Sequence, residues 1–112
     1  MKRHGMVAQV LPGKLHEYRR LHADVWPGVL EMIERCNIQN YSIFTARLPD
    51  GHDYLFSYFE YVGEDFDADM AKMADDEETV RWWAVCKPLL TPVVALPPGE
   101  VWMPMEEVFH TE

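Results

Sequence analysis

Tyr18 and His22 stand four residues apart where apolar residues recur at helical spacing, so both project from one helix face and reach the same bound molecule. Histidine exchanges a proton near neutral pH, and a tyrosine hydroxyl orients a substrate oxygen or relays a proton. The pair therefore suits acid/base chemistry on a small polar molecule. The same spacing suits two side chains that fill an apolar stripe with Leu15 and Val25, and spacing alone leaves both readings open. Farther along stands Arg81-Trp82-Trp83. Consecutive helical residues point about 100° apart, so the two indoles cannot bury equally in one direction. One can line a pocket, where an indole face suits the C–H face of a carbohydrate and its N–H a hydroxyl. Equally, one packs in the core and the other at a subunit interface. Tyr41 adds a hydroxyl to such a pocket or serves as a sheet residue.

Other chemistries find less support. Asp65-x-Asp67-x-Asp69, with Asp76 at the twelfth position, superficially resembles a calcium loop, but Met70 stands where the sharp turn needs glycine and the segment reads as helix. His4, His16, His22, His52 and His110 lack metal-ligand spacing, so no metal site is expected. Glu106 and Glu107, adjacent on an expected strand, face opposite sides and do not form a glycosidase pair. There is no Gly-rich phosphate loop and no Gly-x-Ser-x-Gly elbow.

The elements that must position these residues are legible in outline. A first strand is expected over about residues 3–11, before the turn signal Leu11-Pro12-Gly13. Between Lys14 and Cys36 two helical stripes are divided by Pro27, which suits the first turn of a second helix capped near Asp24 or Val25. Residues 39–48 alternate, with Tyr41, Ile43 and Thr45 on one face and Ser42, Phe44 and Ala46 on the other. Pro49-Asp50-Gly51 closes a hairpin onto a strand over 54–61, ended by Gly63. The acidic stretch from Glu64 to Glu78 suggests short helices, and Asp75 or Asp76 caps a further helix carrying the Trp pair and ended by Pro88. Residues 91–99 read as an ordered loop and residues 102–110 as a last strand with Pro104 at its start or edge. The order is βαββαβ, the α+β ferredoxin-like sandwich. Its uncovered sheet face calls for a second subunit or a ligand.

Composition narrows the possibilities. The 112 residues, 48% of them hydrophobic, make a single domain over 1–112 with a modest core. Ten Lys and Arg against 19 Asp and Glu give a net charge of -9, which argues against nucleic acid. Cys36 and Cys86 form neither a disulfide framework nor a zinc pattern, and the apolar N-terminal stretch is too short and polar for a signal segment or membrane span, so a cytoplasmic protein is expected.

Five blocks carry a more specific resemblance: Glu17-Tyr18-Arg19-Arg20-Leu21-His22, Val25-Trp26-Pro27, Asn40-Tyr41-Ser42-Ile43, Arg81-Trp82-Trp83 and Glu107-Val108-Phe109-His110. Their order and spacing along nearly the whole chain resemble the L-rhamnose mutarotase family. That resemblance implies a cytoplasmic, cofactor-free homodimer, a dimeric α+β barrel that interconverts the α and β anomers of a 6-deoxy sugar. It further implies that His22 is the proton donor and that Tyr18, Tyr41, Trp82 and Trp83 bind the sugar. The chain departs from the family pattern at Leu21, where relatives tend to carry a basic residue, in the acidic stretch 64–78, and in the proline-rich segment from Pro92 to Trp102. These departures leave L-fucose or another uncommon aldose as an alternative substrate. Two rival functions on the same architecture are a cofactor-independent monooxygenase and a non-catalytic sugar-binding protein.

Overall fold

The computed structural model describes all of residues 1–112. Three long strands form the sheet: β1 (Lys2–Val10), β2 (Ile38–Arg47) and β3 (Asp53–Tyr61). Their β-branched and aromatic residues suit a pleated, half-buried surface. The β2–β3 hairpin closes through Leu48-Pro49-Asp50-Gly51, where Gly51 takes φ 86°, a left-handed conformation that costs glycine little. Strand β3 then runs antiparallel along β1, with His4 opposite Phe59 and Ala8 opposite Leu55.

Helices cover one face. The first crossover is α1 (Leu15–His22) and α2 (Pro27–Arg35), and Pro27 occupies the first turn of α2, where its missing N–H has no helical partner to lose. Trp26, rather than Asp24 or Val25, is the N-cap. The second crossover is α3 (Phe66–Asp75) and α4 (Glu77–Cys86), each capped by an aspartate: Asp65 accepts from the Ala68 N–H at 3.1 Å and Asp76 from the Thr79 N–H at 3.0 Å. Asp69 is buried and accepts from Tyr61, Asn37 and Lys72, so the carboxylates of Asp65 and Asp69 are committed to capping α3 and tying it down rather than facing one another around a cation. Beyond α4, Pro88 sits in a single 3₁₀ turn.

The last strand differs from expectation. It is two pieces laid end to end on the free edge of β1: β4 (Leu90–Thr91) beside Gln9 and Val10, and β5 (Met103–Met105) beside Gly5 to Val7. Thr91 therefore belongs to the sheet rather than to the loop, and residues 106–112 are not a strand. Pro104 removes a ladder donor from β5, and past Met105 the chain is held by side chains instead, with Arg3 donating to Glu107 at 2.6 and 2.9 Å in a two-pronged ion pair. The sheet order β2-β3-β1-β4 is that of the ferredoxin-like sandwich.

Strand β2 is interrupted by one irregularity. Between Gln39 and Ser42 its register slips by one residue, so that Asn40 and Tyr41 together face Phe59, and Asn40 takes φ 50° at this bulge.

The core lies between sheet and helices. Ala8, Val10 and Leu55 from the sheet meet Tyr18, Leu89, Leu90 and Val101, while Val29, Trp82 and Cys86 form an adjoining cluster between α2 and α4. Leu55 is 2% exposed, so truncating it removes buried methyl groups and leaves a cavity. Leu55→Ala is expected to lower stability by about 3 kcal/mol in urea unfolding; a loss below about 1 kcal/mol would mean that the sheet and helices close over the gap.

Candidate active site

An open hollow of about 1550 Å³ runs between the helices and the sheet, and Tyr18, His22, Tyr41, Trp82 and Trp83 all line it. This exceeds the roughly 300 to 1,000 Å³ of most small-molecule sites, so a small molecule would occupy only part of it. The five residues singled out in the sequence are thus brought to one cavity, from three separate elements.

Helix α1 supplies the centre. Its last turn stacks the His22 ring on the Tyr18 ring, with centroids 4.1 Å apart and planes 21° from parallel, and the backbone carbonyl of Tyr18 lies 2.9 Å from His22 Nδ1. A carbonyl oxygen only accepts, so Nδ1 carries the hydrogen and Nε2 is the nitrogen left to take or give a proton. Helix α4 supplies the second wall: Trp82 meets His22 edge to face at 5.2 Å. Trp82 is itself braced by Trp26 at 5.1 Å. Of the adjacent indoles, Trp82 is 6% exposed and packs against both the core and His22. Trp83 is half-buried, packs between the cluster that holds Phe59 and Met73 and the cluster that holds Trp82, and carries Lys87 over its ring at 5.0 Å. The two tryptophans do separate work, as their 100° divergence requires.

Tyr41 approaches from the sheet, its ring 5.4 Å from that of Phe59. As a residue it is 40% exposed, but its hydroxyl end lies in the crowded hollow, and burial there pushes the phenol up to about 12. Burial likewise raises Tyr18, with further upward pushes from Tyr41 and Cys86, which places these three groups in one neighbourhood. Both phenols are protonated at neutral pH, which leaves each hydroxyl able to donate a hydrogen bond. Cys86, pushed up to about 11 by burial, is a neutral thiol.

The residue pattern assigns no role to Trp26, Phe59, Cys86 or Trp102. Trp26 and Phe59 brace the walls, and Cys86 and Trp102 line the hollow. Trp102 is the end of the proline-rich segment that sets this chain apart from the family pattern, and it packs against the cluster that contains Tyr18. The signal for Trp26 is its place before Pro27, and that for Cys86 its place one helical turn after Trp82 on α4; nothing local marks Phe59 or Trp102, which tertiary packing brings in. Glu107 and His110 lie at another part of the hollow, in the segment after β5.

Burial lowers the His22 pKa from its ordinary value of 6.5, and the hydrogen bond to the Tyr18 carbonyl opposes this without overcoming it. The unfolded chain binds the proton more tightly than the folded one. The stability that neutral His22 contributes is therefore fully present above about pH 6.5 and is lost as the pH falls through the folded value. A ring-proton NMR titration is expected to place the His22 midpoint below 6.5; a midpoint at or above it would show that the hydrogen bond outweighs burial.

The geometry has counterparts. The profile of the L-rhamnose mutarotase family matches residues 3–111. The L-rhamnose mutarotase of Oceanobacillus iheyensis is 32% identical over 112 residues, covering 100% of both chains, and that of Bacillus subtilis is 33% identical with the same coverage. The crystal structure of the L-rhamnose mutarotase of Formosa agariphila shares the fold, with a TM-score of 0.76 over 100% of both chains at 22% identity. On these matches, which span the helix carrying Tyr18 and His22, the hairpin carrying Tyr41 and the helix carrying the Trp pair, the chain belongs to the L-rhamnose mutarotase family, a family of isomerases.

Proposed function

We propose that the protein interconverts the α and β anomers of L-rhamnose, with His22 moving the proton. The observation that carries this reading is the fixed imidazole: Nδ1 tied to the Tyr18 carbonyl at 2.9 Å, one face against the Tyr18 ring and Trp82 alongside, with Nε2 left free. The names of the relatives supply the sugar.

Anomer exchange moves one proton between two oxygens bonded to the same carbon. Neutral Nε2 takes the hydrogen of the anomeric hydroxyl; the O–H electron pair becomes the second bond of the aldehyde carbonyl. The bond from the anomeric carbon to the ring oxygen breaks, and that oxygen takes the proton back from the imidazolium. After rotation about the first carbon–carbon bond the steps reverse onto the other face of the carbonyl. The proton count closes on one imidazole, so His22 acts first as base and then as the proton donor implied by the family resemblance. A single positioned acid/base group supplies about 10² to 10⁴-fold. The Tyr18 and Tyr41 phenols, held protonated, donate to sugar oxygens, and the Trp82 and Trp83 indoles face its C–H surface.

Assembly and location fit the same function. Phe44 is 64% exposed on the sheet face away from the helices, in register opposite Phe56, and an apolar aromatic surface of this kind is costly in water. A second copy covering it makes the homodimer. The two cysteines are free and buried, which suits the reducing cytoplasm. No helix is long and apolar enough to cross a membrane.

Saturation-transfer NMR between the anomer signals of L-rhamnose and of L-fucose tests the activity. Transfer dependent on the protein is expected for L-rhamnose, and His22→Asn is expected to lower it by about 10² to 10⁴-fold while leaving the fold intact. Transfer with L-fucose alone would change the substrate. A folded His22→Asn variant with full activity would remove histidine from the mechanism. For assembly, sedimentation velocity is expected to find a dimer that Phe44→Glu converts to monomer; a monomeric parent protein would leave the open face without a partner.

A further inference from the structure

Strand β2 reaches the site only because it is irregular. Ile38, opposite Tyr61, faces the helices. Strict alternation from there would turn Asn40 and Ser42 toward the helices and put Tyr41 and Ile43 on the opposite face. The extra residue at Asn40 reverses the phase: Ser42 pairs with Tyr58 and Ile43 with Ser57, and Tyr41 meets the Phe59 ring at 5.4 Å inside the helix-covered face. The reversal needs a residue that tolerates φ 50°, and asparagine is one of the few besides glycine that do so readily.

The bulge is also clamped. Asn40 Nδ2 donates to Glu60 Oε1 at 2.7 Å, Gln39 Nε2 donates to the same oxygen at 3.1 Å, and the Tyr58 hydroxyl donates to Oε2 at 2.8 Å. Glu60 lies on the neighbouring strand, opposite Gln39, so the clamp fastens the bulged residue to β3 on the face away from the helices while its successor turns inward. We infer that Asn40, held by Glu60 at the β2 bulge, is a positioning residue that turns the Tyr41 phenol into the sugar site. The inference rests on the proposed sugar-binding role of Tyr41, and it assigns Asn40 an effect on exchange exerted through the placement of Tyr41.

A double-mutant cycle separates this from ordinary structural support. The variants are Asn40→Val, whose branched side chain resists positive φ; Asn40→Gly, which keeps the backbone freedom without the clamp; Tyr41→Phe; and Asn40→Val combined with Tyr41→Phe. Anomer exchange is read as kcat and KM against sugar concentration. Asn40→Val and Tyr41→Phe are each expected to lower kcat/KM by about tenfold, the loss of one hydrogen bond, with the double variant no worse than about twofold below either. Asn40→Gly is expected to recover to within about threefold of the parent. Losses that multiply in the double variant, or full activity in Asn40→Val, would overturn the inference. Should Asn40→Val fail to fold, Asn40→Ala carries the same cycle at a smaller backbone penalty. Absence of exchange in the parent protein would overturn the proposed function instead. The placement is then read from nuclear Overhauser contacts between the Tyr41 and Phe59 rings: their loss in the Asn40 variant supports it, and their persistence overturns it.

Discussion

The hydrogen bond between His22 Nδ1 and the Tyr18 carbonyl is the contact on which the proposed chemistry depends. An imidazole has two nitrogens and two neutral tautomers, and only a partner that fixes one of them leaves a defined nitrogen to act. Here the partner is a main-chain carbonyl one helical turn earlier, so the tautomer is set by helix geometry and not by a second titratable side chain. The stacked Tyr18 ring and the edge of Trp82 hold the ring plane. The rest of the molecule keeps that last turn of α1 facing a sheet at the right height.

Two constraints do this. Pro27 forces a new helix to begin shortly after His22, so α1 ends with its histidine at the hollow rather than within a longer helix. Asp76 caps α4 and so fixes where that helix starts, which sets Trp82 against His22 and leaves Trp83 on another side of the helix, still lining the hollow. The sheet contributes the third wall, and does so through a bulge that trades regular alternation for the inward position of Tyr41. Burial pushes each of these groups toward its neutral form, raising the two phenols and lowering the imidazole, so in the proposed chemistry hydrogen-bond donors and a proton acceptor coexist side by side.

Much of this is legible in the residues themselves. Periodicity and Pro27 mark the two helices, Pro49-Asp50-Gly51 marks the hairpin, and the faces of 41, 43 and 45 against 42, 44 and 46 follow from alternation. The proximity of Tyr18 to His22 follows from a spacing of four, but their convergence with Tyr41 and Trp82 requires tertiary pairing that no local pattern contains; the family resemblance points to it. The last strand is shorter than its sequence suggests because residues 102–110 carry sufficient apolar character for a strand, whereas ladder partners exist only for Met103 to Met105 and Glu107 is drawn to Arg3. The bulge at Asn40 escapes notice for a related reason: alternation from Tyr41 onward is regular, and only the pairing of Ile38 with Tyr61 reveals that the phase changes. The Trp102 contribution depends on the return of a proline-rich loop over the core.

If the proposed chemistry holds, the resting His22 is a neutral imidazole protonated at Nδ1, with Nε2 open to substrate. The most direct test is nitrogen-15 NMR of the His22 side chain in the sugar-free protein at neutral pH. A proton-bearing Nδ1 and a proton-free Nε2 are the expected result. A proton on Nε2, whether in the other neutral tautomer or in a charged imidazolium, would contradict it and leave the site without the base on which the proposed exchange turns.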